Sequence, residues 1–415
     1  WGFWIKMKYL IIGASAAGLS AALKIRELDV DGEITVLSEE KSPPYSKMSL
    51  PYLLSGECSK EEDLYLRIPE GVKLLLDKKV VSLKEEMKVV ETETGEEFSY
   101  DKLLIATGAH PYIPEVEKKG SPLILSIRNL KDISGLKERI KNSKEKRVIL
   151  SGAGLVNCEI ADALLKIGIP SVFVIRSNRI LSQILDEEGS RIIESCAKEK
   201  GIELLTGENI KTVEERDGIT YTTLESGKVL KGSCVVFGKG VRPSVDFLKV
   251  TGIKIGRGVR VDKYLQTSVK DVYAAGDVTE SKDLVYEDIR GHALWPVAVE
   301  QGKIAGANMA GGGIEYPEEV SRNILTIFGK IIFTGGISTE DKFEVYKEHL
   351  AGEYRKILIH NNKLVGFVFV GEVDSPGVYL FIMKNKIDVS ENINLLLKGA
   401  ISYPVIYPSI RNIIF

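Results

Sequence analysis

The sequence predicts an α/β protein with two Rossmann-like dinucleotide-binding domains and a smaller α+β domain at the C-terminal end. Three observations support this fold class. A glycine loop follows a short apolar strand near the N-terminus, and a similar loop occurs near residue 150. The segments after the two loops match each other over roughly a hundred residues, which indicates an internal duplication. After Gly311-Gly312-Gly313 the pattern changes to strands joined by a hairpin.

The composition excludes several classes of protein. A chain of 415 residues corresponds to roughly two to four domains, and 44% hydrophobic residues allow large packed cores. The net charge of −2 argues against nucleic acid or an anionic membrane surface as the main partner. The cysteines lie far apart without a C-x-x-C pair, which excludes a disulfide scaffold and a local zinc or iron–sulfur site. A reducing cytoplasm is therefore expected, and no metal site is predicted. The cysteines are Cys58, Cys158, Cys196 and Cys234.

The first glycine loop is Gly13-Ala14-Ser15-Ala16-Ala17-Gly18, and we expect the helix after it to reach about Glu27. Gly13 permits the tight turn and Gly18 lets the helix pack closely on the strand. The backbone N–H groups at the helix start can hold a pyrophosphate. Ser15 stands where the motif has its middle glycine. A second strand over residues 33–37 leads to Glu39, which is placed to bind ribose hydroxyls, with Glu40 as the alternative.

The second loop is Gly152-Ala153-Gly154-Leu155-Val156-Asn157. Asn157 occupies the third glycine position, so its Cβ lies where the helix and the strand should touch, and we expect a modest shift of the helix. A strand over residues 171–175 leads to Arg176, at the position where an acid usually binds the adenine ribose. An arginine cannot accept that hydrogen bond but can pair with a 2′-phosphate, with help from Arg179, which favours NADPH over NADH. Arg176 turned outward to stack on adenine is the alternative.

The same sequence pattern ends both units. Each loop is followed by a meander of short strands and then by a strand that runs into glycine and proline, in residues 103–111 and 235–243. One loop alone is a moderate signal, but two in one chain rarely arise by chance. Two dinucleotide sites held together imply hydride transfer between two dinucleotides.

These segments resemble the two-dinucleotide flavoproteins of the pyridine nucleotide–disulfide oxidoreductase superfamily over nearly the whole chain. The matching segments are GASAAG, YDKLLIATGAHP, GAGLVNCE, GKGVRP and TSVKDVYAAGDV. SEEKSPPYSK and WPVAVEQGKIAGANMAG are similar to the branch of rubredoxin reductase, NADH oxidase and the flavin portion of assimilatory nitrite reductase. The resemblance implies a glutathione reductase-like fold. Its domains are an FAD-binding domain over 7–115 and 244–315, an NAD(P)-binding domain over 116–243, and a C-terminal interface domain over 316–415.

The resemblance places further FAD contacts outside the first glycine loop. Thr107 and Gly108 belong to a matched segment, and Gly276-Asp277 ends a predicted strand. In the family this aspartate binds a ribityl hydroxyl of FAD, while a turn-capping role is the alternative. Pro296 and Val297 begin a predicted helix whose positive N-terminal dipole would point at the flavin pyrimidine edge, where negative charge develops on reduction. A plain core helix is the alternative.

No cysteine is placed for disulfide reduction. Related disulfide reductases carry a redox-active cysteine beside the flavin, and in the single-cysteine branch it falls where this chain has Met48. Cys58 comes ten residues later, past a proline and a glycine. This pattern argues against disulfide reduction and against oxygen reduction through a sulfenic acid. Lys47 is assigned a catalytic role near the flavin, where its charge would favour the reduced form, with a solvated lysine as the alternative.

The resemblance also extends the nicotinamide site. Glu159 matches a family glutamate near the nicotinamide and is assigned a catalytic role, while a helix-surface glutamate is the alternative. The other residues assigned to NAD(P), besides the two arginines, are Gly152, Gly154, Leu155, Val156 and Gly240.

The C-terminal residues predict a hairpin between strands over 355–360 and 364–370, and a helix around Pro376–Lys384. They resemble the family's interface domain, which covers the flavin and often supports dimers, so a homodimer is one assembly that the resemblance allows. No run of about 18 apolar residues occurs, so no membrane-spanning helix is expected. Residues 1–6 precede Met7, which we expect to be the native start.

The leading hypothesis is an FAD-dependent NAD(P)H oxidoreductase, in which hydride passes from nicotinamide C4 to flavin N5. Without an internal thiol, the expected acceptor is an external protein: rubredoxin, ferredoxin or an iron–sulfur subunit of a larger enzyme. Reduction of NAD(P)+ in the reverse direction is equally compatible. The alternatives are an NAD(P)H oxidase that reduces O2 to peroxide, and a flavin electron-transfer module with a decayed nicotinamide site. Asn157 and Arg176 are the residues that favour the latter.

Overall fold

The structure is a computed structural model that describes residues 6–338 and 342–406. Residues 1–5, which precede the expected native start at Met7, lie outside the described part. Residues 407–415 of the predicted interface domain also lie outside it. The described chain forms two α/β units and an antiparallel C-terminal domain, which confirms the predicted fold class.

The first unit is built on a five-stranded parallel sheet. Its central strand, Lys8–Ile12, is apolar and almost fully buried, as is typical of a strand that is covered on both faces. Tyr9 and Ile11 pack against the helices Ala16–Leu28 and Trp295–Met309 on one face. The strand order is Val272–Ala274, Lys102–Ile105, Lys8–Ile12, Glu33–Leu37 and Val72–Leu75.

An antiparallel meander covers the other face of this sheet, where Leu83 and Val90 pack against Leu10 and Ile12. This alternation along one strand follows from the strand period of two. The meander strands are Val80–Lys84, Val89–Thr92 and Glu97–Ser99.

The second unit repeats this architecture, which confirms the predicted duplication. Its five-stranded parallel sheet has Val148–Ser151 at the centre, directly before the second glycine loop. The strand order is Ile124–Leu125, Cys234–Phe237, Val148–Ser151, Ser171–Ile175 and Glu203–Thr206. The helices are Leu130–Asn142, Leu155–Lys166 and Glu187–Glu199. The meander consists of Ile210–Arg216, Ile219–Leu224 and Val229–Gly232, with Glu117–Lys119 at its edge.

Two short strands join the units where the chain passes from the first to the second and back. Ala109–Pro111 and Val241–Pro243 pair antiparallel, and the Ser244 N–H donates to the Gly108 carbonyl oxygen at 3.0 Å. The predicted domain boundaries near residues 115 and 243 fall close to this crossing and stay a prediction. The first unit also contains the elements Lys47–Ser49, Leu50–Ser55, Glu61–Leu64, Asp246–Leu248, Val259–Arg260, Thr279–Lys282 and Ile289–Arg290.

The C-terminal domain is a five-stranded antiparallel sheet with helices packed against it. The predicted hairpin is present, and the predicted helix Pro376–Lys384 is confirmed, followed by a short helix, Ile393–Leu397. Tyr354 and Phe328 enter a core that is shared with the second unit, so the domain is packed firmly onto the rest of the chain. The strand order is Arg322–Ile327, Lys330–Gly336, Lys363–Val370, Glu353–His360 and Glu344–Leu350.

Candidate functional site

A cavity of about 1120 Å³ lies at the carboxyl ends of the first sheet, between the two units and the C-terminal domain. This is where ligands bind in open parallel sheets. The predicted site residues that line it are Gly13, Ser15, Ala16, Ala17, Glu39, Lys47, Thr107, Gly108, Leu155, Val156, Glu159, Gly276, Asp277 and Pro296. The predicted residues outside its lining are Gly18, Gly152, Gly154, Arg176, Arg179, Gly240 and Val297.

The first glycine loop has the geometry of a pyrophosphate cradle. Gly13 has a φ of +113°, and a Cβ there would lie 2.1 Å from the Ala106 carbonyl oxygen. A Cβ at Gly18 would lie 1.9 Å from the Gly13 carbonyl oxygen, so only glycine allows this contact between helix and loop. The helix begins at Ala16, directly after Ser15, and Ala16 and Ala17 line the cavity. The first N–H groups of a helix have no partner within it, so they are available to a ligand. These residues fit the diphosphate of FAD.

The helix Trp295–Met309 places its N-terminus at the cavity because it packs closely on the first helix. A Cβ at Gly302 would lie 2.2 Å from the Ala17 carbonyl oxygen, so the two helix backbones touch. Pro296 occupies the first turn and lines the cavity, as predicted for a residue near the flavin. Val297 is fully buried and does not line the cavity, so its side chain is part of the core. A contact through its backbone N–H stays a prediction.

Asp277 lies at the cavity wall and is held by an arginine that sequence reasoning missed. An Arg128 guanidinium nitrogen donates to Asp277 Oδ2 at 2.8 Å, and both side chains are largely buried. Arg128 Nε is buried without a hydrogen-bond partner among the described residues, which leaves it available to an anionic or polar ligand. Arg128 belongs to no recognisable motif and lies far from Asp277 in sequence, so no local signal pointed to it.

Glu39, the predicted ribose ligand, lies two residues after the second strand ends at Leu37, and its role stays a prediction. Its side chain is exposed at the cavity. The alternative, Glu40, is engaged: its carboxylate accepts hydrogen bonds from the Tyr45 hydroxyl at 2.6 Å and from Lys47 Nζ at 2.7 Å. Burial, together with the Glu40 carboxylate, raises the pKa of Tyr45 well above its ordinary value. Lys47 therefore lines the cavity as the partner of a carboxylate rather than as an isolated cation.

Met48 stands where the resemblance predicts the redox-active cysteine of related disulfide reductases. Met48 lines the cavity and has 58% of its surface exposed. Cys58 is half-buried and packs against the core of the second unit. Within residues 6–338 and 342–406, no cysteine is among the residues that line the cavity.

The second unit contributes an acid and an apolar wall to the same cavity. Leu155 and Val156, at the start of the helix Leu155–Lys166, line it together with Glu159. Burial, together with the charge of Asp162, raises the pKa of Glu159 to about 7. A carboxyl group with this pKa exists in both protonation states near neutrality, so it can donate or accept a hydrogen bond.

Asn157 forms hydrogen bonds with the second glycine loop, and the modest shift of the helix that its Cβ led us to expect stays a prediction. Its side chain is buried, and Nδ2 donates to the carbonyl oxygens of Gly152 at 2.8 Å and Ser151 at 3.2 Å. The carboxamide lies over Gly238, where a Cβ would be 2.5 Å from Asn157 Cγ. At the corresponding positions of the first unit the residue sizes are reversed, with the glycine at Gly18 and the side chain at Ala106. The duplication itself contained this signal, because Gly238 aligns with Ala106 and Asn157 aligns with Gly18.

The two predicted arginines differ in their surroundings. Arg176 is exposed at the end of the strand Ser171–Ile175. Arg179 is half-buried and donates to the Ser182 carbonyl oxygen at 3.5 Å, within its own loop. A further cation, Lys239, lies beside the second glycine loop and was not singled out from the sequence. The roles assigned to these residues stay predictions.

The described part of the chain contains neither a candidate membrane span nor a candidate metal site. No helix there is long and apolar enough to cross a membrane. No group of His, Cys, Asp and Glu residues there is arranged to hold a metal ion.

Comparison with known proteins identifies the family. Residues 7–302 match the family described as pyridine nucleotide-disulphide oxidoreductase. The chain belongs to this family. Residues 322–387 match the rubredoxin NAD+ reductase C-terminal domain. The chain is therefore an oxidoreductase of a family that uses FAD and NAD(P)H.

Individual relatives cover almost the whole chain. The NADH-dependent phenylglyoxylate dehydrogenase subunit epsilon of Aromatoleum evansii is 31% identical over 395 residues, which are 92% of this chain and 93% of the relative. The NADH-rubredoxin oxidoreductase of Clostridium acetobutylicum is 29% identical over 392 residues, 93% of this chain and 95% of the relative. The crystal structure of NADH:rubredoxin oxidoreductase from the same organism has a TM-score of 0.79 at 26% identity. It covers 95% of this chain and 100% of that one.

Proposed function

We propose that this chain is an FAD-dependent NAD(P)H oxidoreductase that passes electrons between a nicotinamide nucleotide and an external acceptor of the rubredoxin or iron–sulfur class. The observation that carries the proposal is a single cavity that both dinucleotide-binding units line, without a cysteine among the described residues that line it. FAD, when bound, supplies hydride exchange with a nicotinamide and the release of electrons one at a time. The chain supplies binding, orientation and electrostatics.

The residues of the first unit bind and orient. The N–H groups at the start of the helix Ala16–Leu28 bind the diphosphate, and Glu39 accepts hydrogen bonds from ribose hydroxyls. Arg128 holds the Asp277 carboxylate in place, and this carboxylate would accept a hydrogen bond from a ribityl hydroxyl of FAD. The N-terminus of the helix Trp295–Met309 directs its positive dipole into the cavity and stabilises negative charge there.

The residues of the second unit position the nicotinamide. Leu155 and Val156 give the cavity an apolar wall on the side of the second unit. Glu159, with its pKa near 7, suits a carboxamide, because that group has both a donor and an acceptor. The carboxamide of Asn157 fills the space over Gly238 and bonds to the loop, which weakens the case for a decayed nicotinamide site.

The class of acceptor follows from the missing thiol and from the relatives. Since no cysteine is among the described residues lining the cavity, electrons have no internal disulfide to enter. Two of the relatives are an NADH-rubredoxin oxidoreductase and a subunit of a larger dehydrogenase, and the C-terminal domain matches that of rubredoxin reductase. We place the protein in the cytoplasm, where NAD(P)H and free cysteines persist. The homodimer stays a prediction.

The test compares acceptors. The purified flavoprotein is supplied with NADPH or NADH and, in turn, rubredoxin, a ferredoxin or O2 alone. Reduction of an iron protein that outpaces O2 consumption is the expected result. Alkylation of the thiols serves as a control and should leave turnover unchanged, because no cysteine is among the described cavity residues. Turnover with O2 and none with any iron protein would make the chain an oxidase instead.

A further inference from the structure

The C-terminal domain reaches the cavity beside the helix Trp295–Met309. The first residues of its strand Arg322–Ile327 and the first residues of the helix line the same cavity. Ser321 directly precedes the strand, and His292 lies three residues before the helix. A contact between these two side chains therefore joins the C-terminal domain to the helix whose N-terminus faces the flavin site.

The His292 side chain is fully buried and connects three segments of the chain. Its Nδ1 lies 3.1 Å from Ser321 Oγ, and its Nε2 lies 3.3 Å from Asp283 Oδ2. The other Asp283 oxygen accepts the backbone N–H groups of Val285 and Tyr286, at 2.8 Å each. Within the part of the chain that the structure describes, Asp283 Oδ2 and His292 Nε2 have no other hydrogen-bond partner, so each atom depends on the other.

The backbone of His292 sets the start of the helix. Its carbonyl oxygen accepts a hydrogen bond from the Leu294 N–H at 2.9 Å, and the Leu294 carbonyl oxygen accepts one from the Ala298 N–H at 3.0 Å. Leu294 directly precedes the helix and offers no side-chain cap. The body of the helix is held separately, through the contact of Gly302 with Ala17. The placement of the first turn therefore depends on the residue that anchors Leu294.

We propose that His292 is a positioning residue that fixes the N-terminus of the helix Trp295–Met309 against the flavin and so raises the midpoint potential of bound FAD. The proposal rests on the proposed flavin site. Ser321 and Asp283 hold the imidazole ring, so the C-terminal domain contributes to the potential. The partial positive charge of a helix N-terminus favours the reduced, more negative flavin, and this effect is confined to the first turn. A first turn that is no longer held in place should favour it less.

The role of His292 does not require a charge on its ring. Burial lowers the pKa of His292 below its ordinary value of 6.5, so the imidazole is neutral at pH 8. Removing the ring at this pH therefore changes the position of the helix start and leaves the local charge as it was. The charged groups around the ring, which every variant below retains, are Asp283, Arg290, Glu319 and Arg322.

The test is the midpoint potential of FAD on the full-length protein at pH 8, measured during slow reduction by xanthine oxidase with an indicator dye. His292→Leu removes both polar contacts, and Ser321→Ala removes only the contact with the C-terminal domain. His292→Asn is the conservative variant, because its carboxamide can occupy the place of the imidazole Nδ1. His360→Leu is the matched control, because His360 is exposed at the end of the strand Glu353–His360 in the same domain.

His292→Leu and Ser321→Ala should each reduce the preference of the protein for reduced over oxidised FAD by roughly three- to tenfold. For a two-electron couple this lowers the midpoint potential by about 15–30 mV. His292→Asn should show less than half of the shift, and His360→Leu should match the wild type. If His292→Leu does not retain FAD, Ser321→Ala decides, because it removes one hydroxyl group and no packing. An unchanged potential in Ser321→Ala, or a shift in His292→Asn as large as in His292→Leu, would overturn the proposal.

The two proposals fail in different ways, because the potential is measured without any nicotinamide. If NADPH or NADH bleaches the flavin but the variants keep the wild-type potential, the oxidoreductase proposal stands and the role of His292 is refuted. If the potential falls in the variants but neither nucleotide bleaches the flavin, the role of His292 stands and the oxidoreductase proposal is refuted.

Discussion

The Asn157 carboxamide fills the space that a side chain at Gly238 would occupy. We therefore predict that substitutions at these two positions have strongly coupled effects on the free energy of unfolding. In Gly238→Ala the new methyl group would lie 2.5 Å from Asn157 Cγ and 2.7 Å from its Oδ1, both in a buried site. Overpacking of this kind costs roughly 1–3 kcal/mol. In Asn157→Ala the carbonyl oxygens of Gly152 and Ser151 lose a donor, which costs roughly 1–3 kcal/mol.

The double variant Asn157→Ala/Gly238→Ala should be less destabilised than the sum of the two single variants. The three atoms nearest to a methyl group at 238 all belong to the Asn157 carboxamide, so removing the carboxamide should relieve the overpacking, and the cost of the lost hydrogen bonds should dominate. A coupling free energy of roughly 1–3 kcal/mol is therefore expected. This estimate follows from the contact distances at Gly238 alone.

The assay is urea unfolding followed by circular dichroism, with saturating FAD, on the wild type, both single variants and the double variant. Gly135→Ala is the control, because a Cβ at this helical position would meet only Leu125 Cδ2, at 4.0 Å. It should be neutral or slightly stabilising. Additive free energies in the cycle, within about 0.5 kcal/mol, would refute the reasoning.

Three further predictions concern the cavity. Gly302→Ala should abolish retention of FAD during purification, seen as loss of visible absorbance, because its Cβ would lie 2.2 Å from the Ala17 carbonyl oxygen; a yellow variant would contradict the close approach of the two helices. Asp277→Asn should weaken FAD binding by roughly 10- to 100-fold in a fluorescence titration, because it breaks the ion pair with Arg128; the exposed Asp31→Asn serves as the control, and equal Kd values would argue against the assignment. For Glu159 the ordinary pKa of 4.5 is raised to about 7 in the folded protein. The folded state then binds more protons than the unfolded state between these pH values, so stability should fall as pH rises through this window. Glu159→Gln should lose this dependence in thermal scans, and identical pH profiles would show that Glu159 is not perturbed.

Local patterns were sufficient to predict the architecture. The two glycine loops, the strands beside them and the duplication follow from periodicity and turn chemistry, and these are properties of contiguous residues. The C-terminal helix Pro376–Lys384 was predicted at its observed bounds. Most of the predicted flavin residues line the cavity because the loops that carry them end parallel strands at the same edge of a sheet.

The contacts that local patterns did not reveal are those between distant segments. The ion pair of Arg128 with Asp277 joins residues that are 149 positions apart, and no motif marks the arginine. Asn157 departs from the motif within its own loop, so the loop alone predicts a disturbed site. The compensating residue, Gly238, lies on another strand. The ion pair of Lys47 with Glu40 depends on how the turn between them folds, and the sequence pattern does not predict that turn. Tertiary placement decided each of these cases.

Anaerobic titration of the purified flavoprotein with NADPH, and separately with NADH, tests the central claim most directly. The claim is that the cavity brings a flavin of the first unit and a nicotinamide of the second unit together for hydride transfer. Stoichiometric bleaching of the visible flavin absorbance by at least one of the two nucleotides is the predicted result. A protein that holds FAD and is bleached by neither nucleotide, yet is reduced by dithionite, would contradict the claim.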